Sequence, residues 1–362
     1  MTLSGIIVHY FPKMSSILAK NILLYTNEQL EQIDSELPIF LNSWKNSSKK
    51  IEVRTSGSTG NPKIIELEKS AVVNSAKATN LFFNLTKNSI FLHCLPVRFI
   101  AGKMMVVRAL QANGRILFAS SFANPLENLN QPIDFCAMTA HQLKKSILKN
   151  KDKFNWIKTL IIGGGPIEKD VEKILVSLPS RCFHTFGMTE TISHFAVREI
   201  STVQQKPIFK CLPNVTIKTN LNHQLIVRAE HLYIKELITN DIVELIDANS
   251  FVWKGRIDNV INSGGIKIHP EELEKKISLK NTSEKFIFDK LKDDLLGEQL
   301  IMITNNQSKT DFASVFNSFQ QHEIPKRIYK VNEFAYTENN KIDRPKSKEI
   351  AINLNKWYRP YQ

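Results

Sequence analysis

The chain has 362 residues, 42% of them apolar and 23% charged, and its 48 Lys+Arg against 35 Asp+Glu leave a net charge of +13. This composition closes a sizeable core, excludes a disordered or fibrous chain, and suits about two domains. A basic chain serves nucleic acid or small polyanions such as nucleotides and carboxylates, and charge alone selects neither.

Taken in order, the opening MTLSGIIVHYFPK lacks the basic start and long apolar run of a signal peptide. No stretch approaches the ~18 apolar residues that span a bilayer, so the expected location is the cytoplasm. Apolar, β-branched runs at Ile90–Leu95, Arg115–Ala119, Phe135–Met138, Thr159–Ile162 and Cys182–Phe186 read as strands. Between the last two, Val171, Ile174, Leu175 and Leu178 repeat at helical spacing. Alternating β and α predicts a largely parallel sheet covered by helices. After about residue 205, Gln224–Ala229 and Asp241–Trp253 read as short strands, the latter turning at Asp247–Ser250. A smaller unit follows, with Pro270, Glu271 and Glu272 opening a helix. The expected fold is therefore α/β: a large N-terminal domain, 1–256, with mainly parallel sheets and helices, and a small α+β C-terminal domain, 257–362.

Cys94, Cys136, Cys182 and Cys211 lie tens of residues apart and form no C-x-x-C pair, so neither a zinc site nor a redox motif is expected. Cys182 and His184 read as strand packing. Lysine pairs such as Lys49–Lys50, Lys144–Lys145 and Lys275–Lys276 are dispersed, with no basic run of five, which argues against a nucleic-acid face.

Seven short segments carry chemistry. Thr55-Ser56-Gly57-Ser58-Thr59-Gly60-Asn61-Pro62-Lys63 joins hydroxyls, free N–H groups and glycines that permit close approach, which suits phosphate oxygens. It is not a Walker loop, and its bland alternative is a Ser/Gly linker. Phe186-Gly187-Met188-Thr189-Glu190-Thr191 follows a strand end, where open α/β sheets bind ligands; Glu190 can hold a hard cation and Thr189 can contact phosphate. Gly163-Gly164-Gly165 ends another strand, allowing a flat ring to stack on bare backbone or simply making a tight turn. Thr239-Asn240-Asp241, Gly255-Arg256-Ile257-Asp258 and Asn262-Ser263-Gly264-Gly265-Ile266-Lys267 offer Asp241 and Arg256 to sugar hydroxyls, or are merely hairpin turns. Asn339-Asn340-Lys341-Ile342-Asp343-Arg344 reads by itself as a solvated turn.

In this order the segments resemble the motifs of the adenylate-forming (AMP-binding) acyl-CoA synthetase superfamily, from about Val53 to Arg344. Phe40–Trp44, Ile100–Met105 and GMTETISH resemble the o-succinylbenzoate–CoA ligases of menaquinone synthesis within it. The resemblance implies ATP, Mg²⁺ and coenzyme A as reactants and cofactors, no nucleic acid, and a monomer or homodimer. It implies that residues 55–63 clasp the β- and γ-phosphates, Glu190 holds Mg²⁺, and Phe186, Gly187 and Gly163–Gly165 flank adenine. Asp241 and Arg256 would then hold the ribose, and Lys341 would bridge carboxylate and α-phosphate. Asp258 matches the family's hinge, and Ser263, Gly264 and Gly265 its thioester-step segment. Arg98, Phe99, Gly102, Lys103 and His194, with Arg108, are the acyl-pocket candidates by position. The alternatives left open are another aryl- or fatty-acyl-CoA synthetase and a non-catalytic nucleotide or nucleic-acid binder.

Several positions depart from the pattern. Asn240 and Asn340 replace glycines, which asparagine's tolerance of left-handed backbone accommodates. Phe186 stands where tyrosine is usual, and Phe99 where many members carry a gating histidine. The phosphate loop falls at residue 55, nearer the start than in typical members, so a shortened N-terminal part is expected.

Overall fold

A computed structural model describes residues 16–54, 63–120, 122–202, 206–278, 285–305, 315–337 and 341–360. The expected phosphate-loop residues Thr55, Ser56, Gly57, Ser58, Thr59 and Gly60, and the substituted Asn340, lie outside the described residues. The strands in chain order begin with β1 (Ile17–Leu18) and a hairpin of β2 (Lys50–Arg54) and β3 (Ile64–Glu68). Next come β4 (Ile90–His93), β5 (Arg115–Phe118), β6 (Ile133–Thr139), β7 (Ile157–Gly163), β8 (Arg181–Gly187), β9 (His194–Glu199) and β10 (Ile208–Cys211). They are followed by β11 (Thr216–Thr219), β12 (Gln224–Ala229), β13 (Ile234–Asp247) and β14 (Ser250–Arg256).

All but β2 and β3 form one sheet in the order β1-β5-β4-β6-β7-β8-β9-β10-β14-β13-β12-β11. From β5 to β8 the pairing is parallel, as the β–α alternation predicts. From β8 onward every pair in this sheet is antiparallel, because the strands there follow one another without helical crossovers. The hairpin of β13 and β14 turns where expected, with Asp247 paired to Ser250.

Helices cover the parallel half on both faces. They are α3 (Lys69–Phe82) and α4 (Ile100–Ala112), α5 (Ala140–Asn150) and α6 (Lys169–Val176), after the short α1 (Asn27–Glu31) and α2 (Leu37–Lys45). Alternation along the strands divides the core. Phe91, Phe135, Ile161 and Phe183 meet α3 and α4, whereas Leu92, Cys136, Leu160 and Cys182 meet Leu143 of α5 and Leu175 of α6. Thr139 ends β6 and caps α5, its hydroxyl accepting from Gln142 N at 3.2 Å.

A second sheet has its own core around Ile261, Leu273, Phe288 and Met302. Its strands are β15 (Ile261–Ser263), β16 (Ile266–Ile268), β17 (Phe286–Asp293), β18 (Gly297–Thr304), β19 (Arg327–Lys330) and β20 (Trp357–Tyr358). Its helices are α7 (Pro270–Ser278), opening at Pro270 as predicted with acids first and lysines last, and α8 (Arg344–Leu354). The turn Ile257–Asn259 connects β14 to β15. Among the described residues no helix is long and apolar enough to cross a membrane.

Candidate active site

Strands β7 and β8 pair in parallel, so their C-terminal ends lie side by side. Gly163 lies where a methyl group would sit 2.8 Å from Thr185 Oγ1, so the backbone there approaches its neighbour as only glycine permits. Gly164 has φ +83°, a second reason for glycine. The Thr185 hydroxyl donates to the Ile162 carbonyl at 3.0 Å, and His184 Nε2 lies 3.0 Å from the Gly165 carbonyl. Burial lowers the His184 pKa to about 4, so a neutral imidazole holds the glycine turn. His184 and Phe186 share one face of β8 two residues apart, so the turn and the Phe186 ring lie on the same side of the strand. Phe186 is held in place by Phe195, Phe209 and Phe251 at ring distances of 5.8, 5.3 and 5.1 Å.

After Phe186 the chain turns sharply. A methyl group on Gly187 would lie 2.6 Å from His194 Cα and closer still to the Ser193 carbonyl oxygen. The buried Thr191 hydroxyl ties the loop, accepting from Met188 N at 3.0 Å and lying 2.8 Å from the Ser193 carbonyl. Ile192, a β-branched residue, is held at φ +68°, a strained conformation of the kind that the surroundings must over-determine. Thr189 and Glu190 ride on this loop, and the Glu190 carboxylate is exposed. Gly187→Ala is therefore expected to destabilise the fold by ~1–3 kcal/mol and displace Glu190. A urea midpoint equal to that of the parent protein would reject this reading of the loop.

Behind the loop lies a buried polar cluster. The Arg108 side chain extends from α4, is 2% exposed, and donates to Ser193 Oγ at 3.1 Å, which in turn lies 3.0 Å from Ser75 Oγ. Arg108 Nε and His194 Nε2 are buried without hydrogen-bond partners among the described residues. Burial brings the Arg108 pKa down to about 9, and burial together with that guanidinium drives His194 well below the ordinary range. The other cations considered for this pocket lie elsewhere. Lys103 donates to the Val97 carbonyl at 2.9 Å and sits over the Phe40 ring, while Arg98 is exposed above Phe99. Gly102 lets α4 pack directly on the backbone of Leu95 and Pro96.

A second group of candidate residues comes from β13, β14 and the segment before α8. Asp241 pairs with Arg256 across the hairpin, and its Oδ1 accepts from Trp253 Nε1 at 2.9 Å. Burial raises the Asp241 pKa, and its Trp253 bond, Arg256 and Lys341 oppose that rise. Lys341 stands half-buried just before α8. Its N–H donates to Thr337 Oγ1 at 3.2 Å, its carbonyl accepts from Thr337 N at 2.8 Å, and Asp343 caps the helix that follows. Arg344 fastens the segment to the second sheet through Glu274 at 2.6 Å and the Phe288 carbonyl at 2.9 Å. Burial, then Arg256, lowers the Lys341 pKa, and Asp241 supports its charge. Asp241, Arg256 and Lys341, 100 positions apart at the extremes, thus share one electrostatic neighbourhood.

Asp258, in the connecting turn, accepts from Asn240 Nδ2 and from Arg256, each at 3.0 Å. Gly264 and Gly265, at φ +58° and +82°, make a two-residue hairpin turn after Ser263, exposed on the second sheet and contributing none of the contacts above. Lys63 is exposed just before β3, at the far side of the 55–62 segment. Among the described residues no three His, Cys, Asp or Glu side chains gather to hold a metal. A single exposed carboxylate with phosphate oxygens is how Mg²⁺ is commonly bound, and Glu190 fits that use. Motif reading missed the parts played by His184, Ser75, Ser193 and Trp253, although His184 lies on the strand before Phe186 and Ser193 within GMTETISH.

Residues 54–220 match the family of AMP-binding enzymes. That match covers just under half of the chain. Over 332 residues it is 24% identical to the 2-succinylbenzoate–CoA ligase of Staphylococcus epidermidis, covering 83% of this chain and 70% of that protein. It is 26% identical to an AMP-forming acyl-CoA synthetase/AMP-acid ligase II-like protein from Dyadobacter fermentans, with a TM-score of 0.62 over 93% of this chain and 99% of that one. It also shares its fold, at a TM-score of 0.70 and 16% identity, with the o-succinylbenzoate–CoA synthetase of Bacillus subtilis in complex with ATP and magnesium ion, covering 82% of this chain and 69% of that one. The fold of the AMP-binding domain and the second sheet is that of the adenylate-forming enzymes.

Proposed function

We propose that the protein is an ATP-dependent carboxylate–CoA ligase that converts o-succinylbenzoate to o-succinylbenzoyl-CoA in menaquinone biosynthesis. The observation that carries this reading is the electrostatic coupling of Lys341 with Asp241 and Arg256, which sets a cation from the segment before α8 in the field of a carboxylate suited to ribose. The likeness to 2-succinylbenzoate–CoA ligases supplies the substrate. A cytoplasmic enzyme, monomeric or homodimeric, suits such reactants.

In the first half-reaction an oxygen of the substrate carboxylate attacks the α-phosphorus of ATP. The bond to the β-phosphate oxygen breaks, and pyrophosphate leaves. Both reactants are anions, so the site must neutralise charge while it aligns them. Lys341 lies between the two, the 55–63 segment takes the β- and γ-phosphates, and Asp241 with Arg256 fixes the ribose. Adenine lies between Phe186 and Gly163–Gly165. Mg²⁺ bound at Glu190 would offset charge on the departing pyrophosphate. In the second half-reaction the CoA thiol attacks the acyl carbonyl, its proton is lost, and AMP leaves as the thioester forms.

Residues 257–362 act as a small mobile domain. It closes to bring Lys341 in, then turns about Asp258 to present Ser263–Gly265 to the thiol. Arg108, flanked by Ser193 and His194, takes the substrate's second, unreacting carboxylate. A pyrophosphate-release assay with o-succinylbenzoate, benzoate and fatty acids is the test. Turnover of o-succinylbenzoate is expected to exceed that of benzoate by at least tenfold. Preferential activation of a fatty acid or monocarboxylate would give the site to another acyl-CoA synthetase, and no ATP cleavage with any acid would reject the enzyme reading.

A further inference from the structure

Among the described residues, the Trp253 side chain donates the hydrogen bond to the Asp241 carboxylate, and it reaches that carboxylate through an irregularity in the hairpin. The β13–β14 register runs Asp241 to Arg256 and Ile242 to Gly255, then resumes at Val243 with Trp253. Lys254 is left without a partner in the ladder, as in a β-bulge, which re-aims the residues beside it. Two neighbours hold the bulge open. Gly255 adopts φ +153°, and Lys254 Nζ spans Glu244 at 3.1 Å and Glu272 of α7 at 3.0 Å. Trp253 is half-buried against the core beneath the first sheet, so its ring has little freedom to turn away. The outcome is an indole N–H aimed at Asp241 Oδ1 at 2.9 Å. Asp241 is anchored from its own strand as well, its backbone N–H donating to Thr239 Oγ1 at 3.1 Å.

We infer that Trp253 is a positioning residue for nucleotide binding: its indole N–H orients the Asp241 carboxylate for the ribose hydroxyls and keeps it ionised. This rests on the proposed role of Asp241. The charged groups facing the carboxylate are Arg256 on the neighbouring strand, Lys341 before α8 and Glu271 of α7. Arg256, Lys341 and the indole favour the ionised form, while burial and Glu271 oppose it. An N–H donor to a carboxylate is a charge-assisted bond, stronger than a neutral one. Its removal leaves an acceptor that is both looser and more easily protonated.

The test is calorimetric titration of Mg–ATP into the full chain as parent, Trp253→Phe, Asp241→Ala and the double variant, across pH. Phenylalanine keeps a ring in the slot and removes only the donor. Trp253→Phe is expected to weaken ATP about tenfold, the scale of one hydrogen bond to a charged group. Its acid limb of binding should move to higher pH, because the unsupported carboxylate takes a proton sooner. In the Asp241→Ala background the same change should add nothing, since no carboxylate remains to orient. Unchanged affinity and acid limb in Trp253→Phe, or a full additional loss on top of Asp241→Ala, would overturn the inference and leave Trp253 as packing alone. If Trp253→Phe does not fold, the Trp253 indole ¹⁵N–H resonance of the parent decides: it should titrate with the acid limb, and a resonance indifferent to it overturns the inference. A parent protein that binds no ATP at all overturns the proposed function, and this inference with it.

Discussion

Lys341→Ala is expected to lower o-succinylbenzoate-dependent ATP–pyrophosphate exchange by roughly 10²–10³, the scale of removing one preorganised group that meets charge in a transition state. The Lys341 segment is pinned at Thr337, at the Asp343 cap and through Arg344 to Glu274, so truncating the side chain leaves its support intact. The loss should appear in kcat, with Mg–ATP affinity changing little, because the proposed ribose contacts at Asp241 and Arg256 remain. Thioester formation from preformed acyl-adenylate should survive, since in the proposed mechanism the small domain has turned Lys341 away for that step. The pH dependence follows from the environment. Burial and the Arg256 guanidinium lower the Lys341 pKa. The ammonium is therefore present below that lowered value and lost as pH rises through it, so the alkaline limb of exchange begins earlier than an ordinary lysine would give. Lys341→Arg, charged throughout, should show weak exchange without that limb. Exchange in Lys341→Ala equal to that of the parent would leave the protein a nucleotide binder without this chemistry.

The parts legible in the sequence were those with local signatures. Strands β4 to β8 carry apolar, β-branched runs, the β13–β14 turn carries Asp247-Ala248-Asn249-Ser250, and α7 announces itself with proline and acids. By contrast, α4 has no amphipathic stripe to find, because every residue from Gly102 to Ala109 is buried. Strand β13 runs 14 residues, longer than its pattern suggested, because register shifts on both of its edges interrupt the alternation. For the site, Asp241, Arg256 and Lys341 were readable only through the order of motifs, since a lysine in a turn is otherwise a solvated lysine. Trp253 needed the bulge, which no composition rule reveals. The Arg108–Ser193 contact joins residues 85 apart on two elements, a proximity that only the folded sheet creates.

Arg108→Leu is expected to raise the KM for o-succinylbenzoate about 10²-fold while leaving Mg–ATP binding unchanged. The argument begins with what the folded protein tolerates. Arg108 is 2% exposed, and among the described residues no carboxylate pairs with it; Ser193 Oγ is its recorded acceptor, and Nε has none. A buried guanidinium without a counter-ion costs stability, and an apolar side chain in that slot leaves no charge to desolvate. A residue retained against its own stability is a candidate for function. The second carboxylate of a dicarboxylic acid is the counter-ion the pocket lacks, and a bidentate arginine suits its geometry. Truncating one member of a buried charge pair typically costs 2–5 kcal/mol or more of binding, which brackets the expected 10²-fold loss. Two further results separate this role from packing. Arg108→Leu should melt no lower than the parent, whereas o-succinylbenzoate should raise the melting temperature of the parent and not of the variant. Benzoate, with no second carboxylate, should be used equally poorly by both. A variant that loses benzoate and o-succinylbenzoate turnover alike, with a lowered melting temperature, would mark Arg108 as structural and leave the second carboxylate to another group.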